Sequence, residues 1–154
     1  MDSEHTDPSR VTGGRLRQRQ PVILVVDDSE DNRDLYAMAL GRAGYAVAVA
    51  VDGLDAVDKT QAIGPTLILM DLAMPNLDGW EATKRIRALP DFHRATKIIA
   101  LTAFTDAVSV QRARAAGCDA VLSKPCPPAT LLEHIAVALA SIEAVDDTDA
   151  REIA

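Results

Sequence analysis

Five short apolar runs, separated by longer amphipathic stretches, constrain this chain more than anything else in it. VILVVDD, AVAVAV, LILMD, IIALTA and AVLSKP are rich in Val, Ile and Leu, as strands buried on both faces of a sheet must be. Alternation of such runs with helical stretches is the pattern of βα units wound around a parallel sheet. Five units can be read from Pro21 onward.

The first pairs a strand over 22–27 with a helix over 30–43, where Ser29 can cap, Leu35, Met38 and Ala39 recur at helical spacing, and Gly44 ends the turn. The second has a strand over 46–51 and a helix over 54–62, closed by Gly64-Pro65. The third strand, 67–71, runs into a proline-bearing loop, after which Asp78 can cap a helix that Pro90 terminates. The fourth strand, 97–102, precedes a helix over 106–116 with Gly117 at its end. The fifth strand, 120–123, leads to a helix over 128–142 carrying Leu131, Leu132, Ile135, Ala138, Leu139 and Ile142 as its apolar stripe. Right-handed crossovers then favour an α/β, doubly wound (βα)5 fold, a five-stranded parallel sheet in the order 2-1-3-4-5.

Four of the five runs end in residues able to do chemistry: Asp27 and Asp28, Asp71, Thr102, and Lys124. In a parallel sheet these ends share one edge, where ligands of open α/β sheets gather. Three carboxylates, a hydroxyl and an ammonium there are equipped for a divalent metal and a phosphoryl group. Crowded carboxylates repel, so without a cation at least one should hold its proton more tightly. Mg²⁺ removes that penalty and takes hard oxygen ligands while keeping waters.

With 154 residues the chain reads as one domain, large enough to bury roughly two-thirds of its unfolded surface. Residues 1–20 read as a disordered N-terminal tail, 21–142 as the folded domain and 143–154 as an acidic C-terminal tail. Sixteen Lys and Arg against 23 Asp and Glu give a formal charge of -7, which repels nucleic acid and anionic membranes. Four arginines in 10–19 follow acids and precede no apolar stretch of signal-peptide kind. No run approaches the roughly 20 residues that span a bilayer, so a soluble, cytoplasmic protein is expected. Cys118 and Cys126 lack CxxC spacing, and Cys118 reads as a small buried hydrophobe. His5, His93 and His134 are scattered singly and read as ordinary surface or packing residues.

VVDDSEDNR, MDLAMPNLDGWE, ALTA and SKP, in that order at successive strand ends, make the chain resemble a response-regulator receiver domain of two-component signalling, a flavodoxin-like fold. The resemblance implies that Asp71 is the phosphoacceptor. It implies Mg²⁺ as cofactor, with Asp28 and Asp71 as direct ligands, the Ala73 carbonyl as a third, and Asp27 acting largely through water. Thr102 and Lys124 would contact the phosphoryl group, and Pro125 is a position for a cis peptide that aims the lysine inward. A hydrogen bond from Thr102 would draw the loop 103–105 inward as the output. The donor implied is a histidine kinase or a histidine phosphotransfer protein, and the downstream partner a protein docking on helix 4, strand 5 and helix 5. No nucleic acid or membrane partner is expected.

Departures from the family pattern bear on the mechanism. Val121 stands where an aromatic usually swings inward, leaving the loop and fourth helix, or Phe104, to carry the signal. Cys126 stands where phenylalanine is common, so looser packing is expected at the start of the fifth helix. Ala73 and Phe104 occupy positions that influence phosphoryl loss in this family. On the docking face Val108, Val121 and Val137 each read first as core. Residues 143–154 leave no room for an output domain, so output by docking is expected.

Two other classes compete. A phosphatase of the haloacid-dehalogenase kind also uses a strand-end aspartate and magnesium, but needs a DxD pair that Asp28-Ser29-Glu30 does not supply. A receiver-like scaffold that never carries phosphate would bind partners without metal and be indifferent to Asp71→Asn.

Overall fold

The computed structural model describes residues 20–90 and 95–152, with side chains described through residue 142. Strand and helix alternate throughout: β1 (Val22–Val26), α1 (Glu30–Arg42), β2 (Ala46–Ala50), α2 (Gly53–Ile63), β3 (Leu67–Asp71), α3 (Gly79–Arg87), β4 (Lys97–Thr102), α4 (Ala107–Ala116), β5 (Ala120–Ser123) and α5 (Pro128–Glu152). The five strands are parallel in the order β2-β1-β3-β4-β5. β3 is central, and all five of its residues are buried.

Side chains alternate between the two faces of the sheet, and each face has its own core. Leu24, Val26, Ile68, Met70 and Ile98 pack with Ala56, Trp80, Ile86 and Ala113 on the side covered by α2, α3 and α4. Ile23, Val25, Leu67, Leu69, Ile99 and Leu101 pack with Tyr36, Leu40, Leu131, Ile135 and Leu139 beneath α1 and α5. Complete burial of one such Leu or Ile contributes about 1.5–3 kcal/mol. The continuous apolar runs are therefore a consequence of a sheet that needs hydrophobes on both faces.

Every strand-to-helix turn but the last is capped by a short polar side chain. Ser29, Asp52, Asp78 and Asp106 accept from the backbone N–H of Asn32, Asp55, Glu81 and Ser109, satisfying one orphan donor in each helix. Gly64 and Gly117 take the left-handed conformation at the other ends of α2 and α4. Arg87 ties the end of α3 to the segments that lead into β4 and β5, donating to the Thr96 carbonyl at 2.8 Å, the Gly117 carbonyl at 2.8 and 3.0 Å and Asp119 at 2.8 Å. On the outer edge of β2, the Asp55 and Lys59 side chains of α2 bond Val51 N–H and the Val49 carbonyl, which blunts that edge.

Three expectations from the sequence need correction. On α1 the buried face is Tyr36 and Leu40, while Leu35 and Met38 are about half exposed, at 49% and 55%. Ser29 at the cap and Arg33, which donates to the Asp27 carbonyl at 2.8 Å, fix a rotation that turns the aromatic toward the sheet. Val108 and Val137 are surface residues, 75% and 71% exposed, because they lie on the outer sides of α4 and α5; only Val121 packs partly against the core. The helix read as ending at Ile142 continues to Glu152, over a stretch that has neither Gly nor Pro to stop it. His5, His93 and the arginines of 10–19 lie outside the described residues. His134 is exposed, and both cysteines are buried. Among the described residues no helix is long and apolar enough to cross a membrane.

Candidate functional site

β1 and β3 are neighbours in register, Val26 facing Met70, so the residues that follow them emerge side by side at the carboxyl edge of the sheet. One carboxylate oxygen from each of Asp27, Asp28 and Asp71 falls within 4.8 Å of the others. Asp27 and Asp71 are buried, whereas Asp28 opens to solvent. An all-oxygen set with one open member suits a small hard cation that keeps some of its water, and Mg²⁺ is such an ion.

The fifth strand brings the amine. Lys124 Nζ lies 3.0 Å from Asp27 Oδ2 and 3.3 Å from Asp71 Oδ2, bridging acids from two strands. A cis peptide joins it to Pro125. Lys124 N donates to the Thr102 carbonyl at 2.9 Å, so the residues that end β4 and β5 are tied to each other. Thr102 is fully buried, one step beyond Leu101, the register partner of Asp71. Its Oγ1 accepts from Phe104 N at 2.9 Å, which leaves its own proton to donate.

Each acid has a different set of partners. Asp27 accepts from Ser29 N at 2.9 Å, Asn32 Nδ2 at 3.4 Å and Lys124. Asp71 accepts from Ala73 N at 3.1 Å and from Lys124. Among the described residues nothing bonds the Asp28 carboxylate. Burial pushes the Asp71 carboxyl up to about 6; the Lys124 ammonium opposes that shift and the Asp27 charge adds to it. For Lys124, burial would lower the ammonium, yet its bond to Asp27 and the charges of Asp71 and Asp27 hold it above the ordinary lysine value. The lysine is thus kept protonated, while the aspartate is easily protonated when no cation is near.

The loop after β3 is set by backbone packing. A Cβ on Gly79 would fall 2.2 Å from the Asp71 carbonyl oxygen, and one on Gly53 would fall 2.3 Å from the Leu77 carbonyl oxygen. Gly79 N donates to the Leu72 carbonyl at 3.0 Å, closing the loop, and Asn76 turns it with φ 68. Only glycine lets α2 and α3 approach the loop that holds Asp71 and Ala73 this closely. Trp80 of α3 is buried, its Nε1 without a partner among the described residues, and Arg112 of α4 lies 4.3 Å from the ring centroid.

All five residues singled out from the strand ends lie along one edge of the sheet. Two parts of the site carried no such signal. Tyr36 sits in the α1/α5 core with its hydroxyl 3.4 Å from the Cys126 carbonyl, two residues past Lys124. Cys126 itself is buried, 6% exposed. Gly53 is the second, since a close approach between backbones can be seen only in the fold.

A family model described as the response regulator receiver domain matches residues 23–136. The polar-differentiation response regulator DivK of Brucella anthropi is 34% identical over 113 residues, covering 73% of this chain and 91% of DivK. The sensor histidine kinase RcsC of Salmonella typhimurium is 39% identical over 116 residues, 75% of this chain, and the chain spans 12% of the length of that kinase. Among solved structures, the chemotaxis protein CheY4 of Vibrio cholerae superposes with a TM-score of 0.74 at 33% identity, covering 78% of this chain and 99% of that one. Taken with the parallel sheet and the acids at its edge, these matches make the chain a member of the response regulator receiver domain family of two-component systems.

Proposed function

We propose that this domain accepts a phosphoryl group on Asp71 from the phosphohistidine of a histidine kinase or histidine phosphotransfer protein in the cytoplasm, and that the modified domain docks a protein partner. The observation that carries this reading is the convergence of Lys124 Nζ on Asp27 and Asp71 at 3.0 and 3.3 Å, beside the exposed Asp28 carboxylate. Asp28, Asp71 and the Ala73 carbonyl are the groups that would hold Mg²⁺, with Asp27 behind them. When bound, the ion supplies positive charge that keeps Asp71 ionised and neutralises phosphoryl oxygens.

An ionised Asp71 oxygen attacks phosphorus, the N–P bond of the donor breaks, and the imidazole leaves with the bonding pair and takes up a proton. The transition state is loose and its charge lies on the equatorial oxygens, so the protein contributes positioning and neutralisation. Lys124, already aimed at Asp71, turns to one oxygen; Thr102 donates its proton to another. Phe104 N is bonded to that same hydroxyl, so a shift of Thr102 draws the loop with it. Val121 offers no aromatic to swing, which favours signalling through this loop and α4. Val108 and Val137, exposed on α4 and α5, are the apolar groups that face offers a partner. Hydrolysis of the acyl phosphate in the same pocket resets the domain.

A small phosphodonor such as acetyl phosphate, given with Mg²⁺, is expected to add the mass of one phosphoryl group to the wild type and none to Asp71→Asn. Steady release of phosphate without a labelled intermediate would instead favour a phosphatase. Equal labelling of both proteins would overturn the assignment.

A further inference from the structure

The turn that carries Lys124 is poor in backbone donors. Pro125, Pro127 and Pro128 have no N–H, so between Lys124 and the first turn of α5 only Cys126 brings one. Upstream, Lys124 N is fixed to the Thr102 carbonyl, and downstream Leu131 N holds the Pro127 carbonyl at 3.0 Å. Among the described residues, the turn between those two points is tied to another helix by one hydrogen bond, from the Tyr36 hydroxyl of α1 to the Cys126 carbonyl. Tyr36 is 4% exposed, and burial raises its phenol above the ordinary value, so the group stays a donor. At its start the same helix holds one of the acids: Ser29 N at the cap bonds the Asp27 carboxylate, and Arg33 bonds the Asp27 carbonyl.

We infer that Tyr36 is a positioning residue for phosphoryl transfer, its hydroxyl pinning the β5–α5 turn so that α1 fixes the amine of Lys124 relative to the Asp27 carboxylate that the start of α1 also holds. This rests on the proposed phosphorylation of Asp71 and adds a residue to it. At 3.4 Å the bond is long, so its loss should be modest in size but confined to the step that uses Lys124.

The test compares the wild type with Tyr36→Phe, which keeps the ring, and Tyr36→Leu, which does not. Initial labelling rate is measured at saturating acetyl phosphate and Mg²⁺, and Mg²⁺ half-saturation is measured separately by calorimetry. Tyr36→Phe is expected to lower the maximal labelling rate about 3- to 10-fold while Mg²⁺ half-saturation stays within about twofold of wild type. Tyr36→Leu should lower the rate at least as much, with a lower melting temperature besides. An unchanged rate in Tyr36→Phe, or a parallel loss of rate and Mg²⁺ affinity, would overturn the positioning role and leave the phosphorylation reading standing. A wild type that takes no label would overturn both.

Discussion

A carboxylate sealed against β1 beside another acid is costly to ionise, and the Asp71 value of about 6 expresses that cost. Its folded value lies above the 3.8 of the unfolded chain, so the group favours the fold when protonated, and that contribution is lost as pH rises from about 4 through about 6. In a chelator, Asp71→Asn is therefore expected to be more stable than wild type by about 1–3 kcal/mol near about pH 8, the gap narrowing toward about pH 4.5. Urea denaturation at the two pH values measures it. A mutant less stable than wild type at high pH would mean that Lys124 already satisfies the carboxylate fully. Asp27, Asp28, Asp71, Thr102 and Lys124 were legible because each interrupts an apolar run at its end, where a polar side chain has no packing role. Tyr36 was not, because an aromatic on an amphipathic helix reads as core; its hydroxyl matters only through the carbonyl of Cys126, ninety residues away in the chain.

At the scale of the element, the loop between β3 and α3 is shaped by what is missing from it. Gly79→Ala would set a methyl 2.2 Å from the Asp71 carbonyl and 2.7 Å from Leu72 Cα, both backbone atoms that cannot swing aside. Overpacking of this kind costs about 1–3 kcal/mol, and the displaced loop should also bind Mg²⁺ more weakly. Chemical denaturation and metal titration of the variant check both, and wild-type values in both would show that the loop is softer than its packing implies. Strand bounds were readable almost to the residue, because apolar runs end where burial ends. Helix faces were less so. Leu35 and Met38 match helical spacing as well as Tyr36 and Leu40 do, and only the cap at Ser29 with the Arg33 bond selects between them. The far end of α5 was misread for a related reason: acidic residues lower the expectation of helix, yet no breaker stands before Glu152.

Across the whole molecule, two cores on opposite faces of one sheet hold five loop ends in register, and the site is the edge they share. A cation held at that edge would join β1 to β3 and relieve the repulsion between their acids, so it should stabilise the entire fold. With Mg²⁺ about tenfold above its half-saturation the gain is about 1.4 kcal/mol, seen as a rise in melting temperature. Asp28→Asn should lose most of that rise at the same Mg²⁺ concentration, and a full rise in this variant would remove Asp28 from the metal site. Whole-fold organisation was the most legible level of all, since the alternation of strands and helices dictates a parallel sheet and the sheet dictates a shared edge. The central claim is that one side chain on that edge receives the phosphoryl group. Borohydride reduction of the acetyl phosphate-treated protein, followed by peptide mass mapping, tests it most directly, because an acyl phosphate is reduced to an alcohol where it stands. The account predicts conversion of Asp71 alone to homoserine; reduction at Asp27 or Asp28, or at no aspartate, would contradict it.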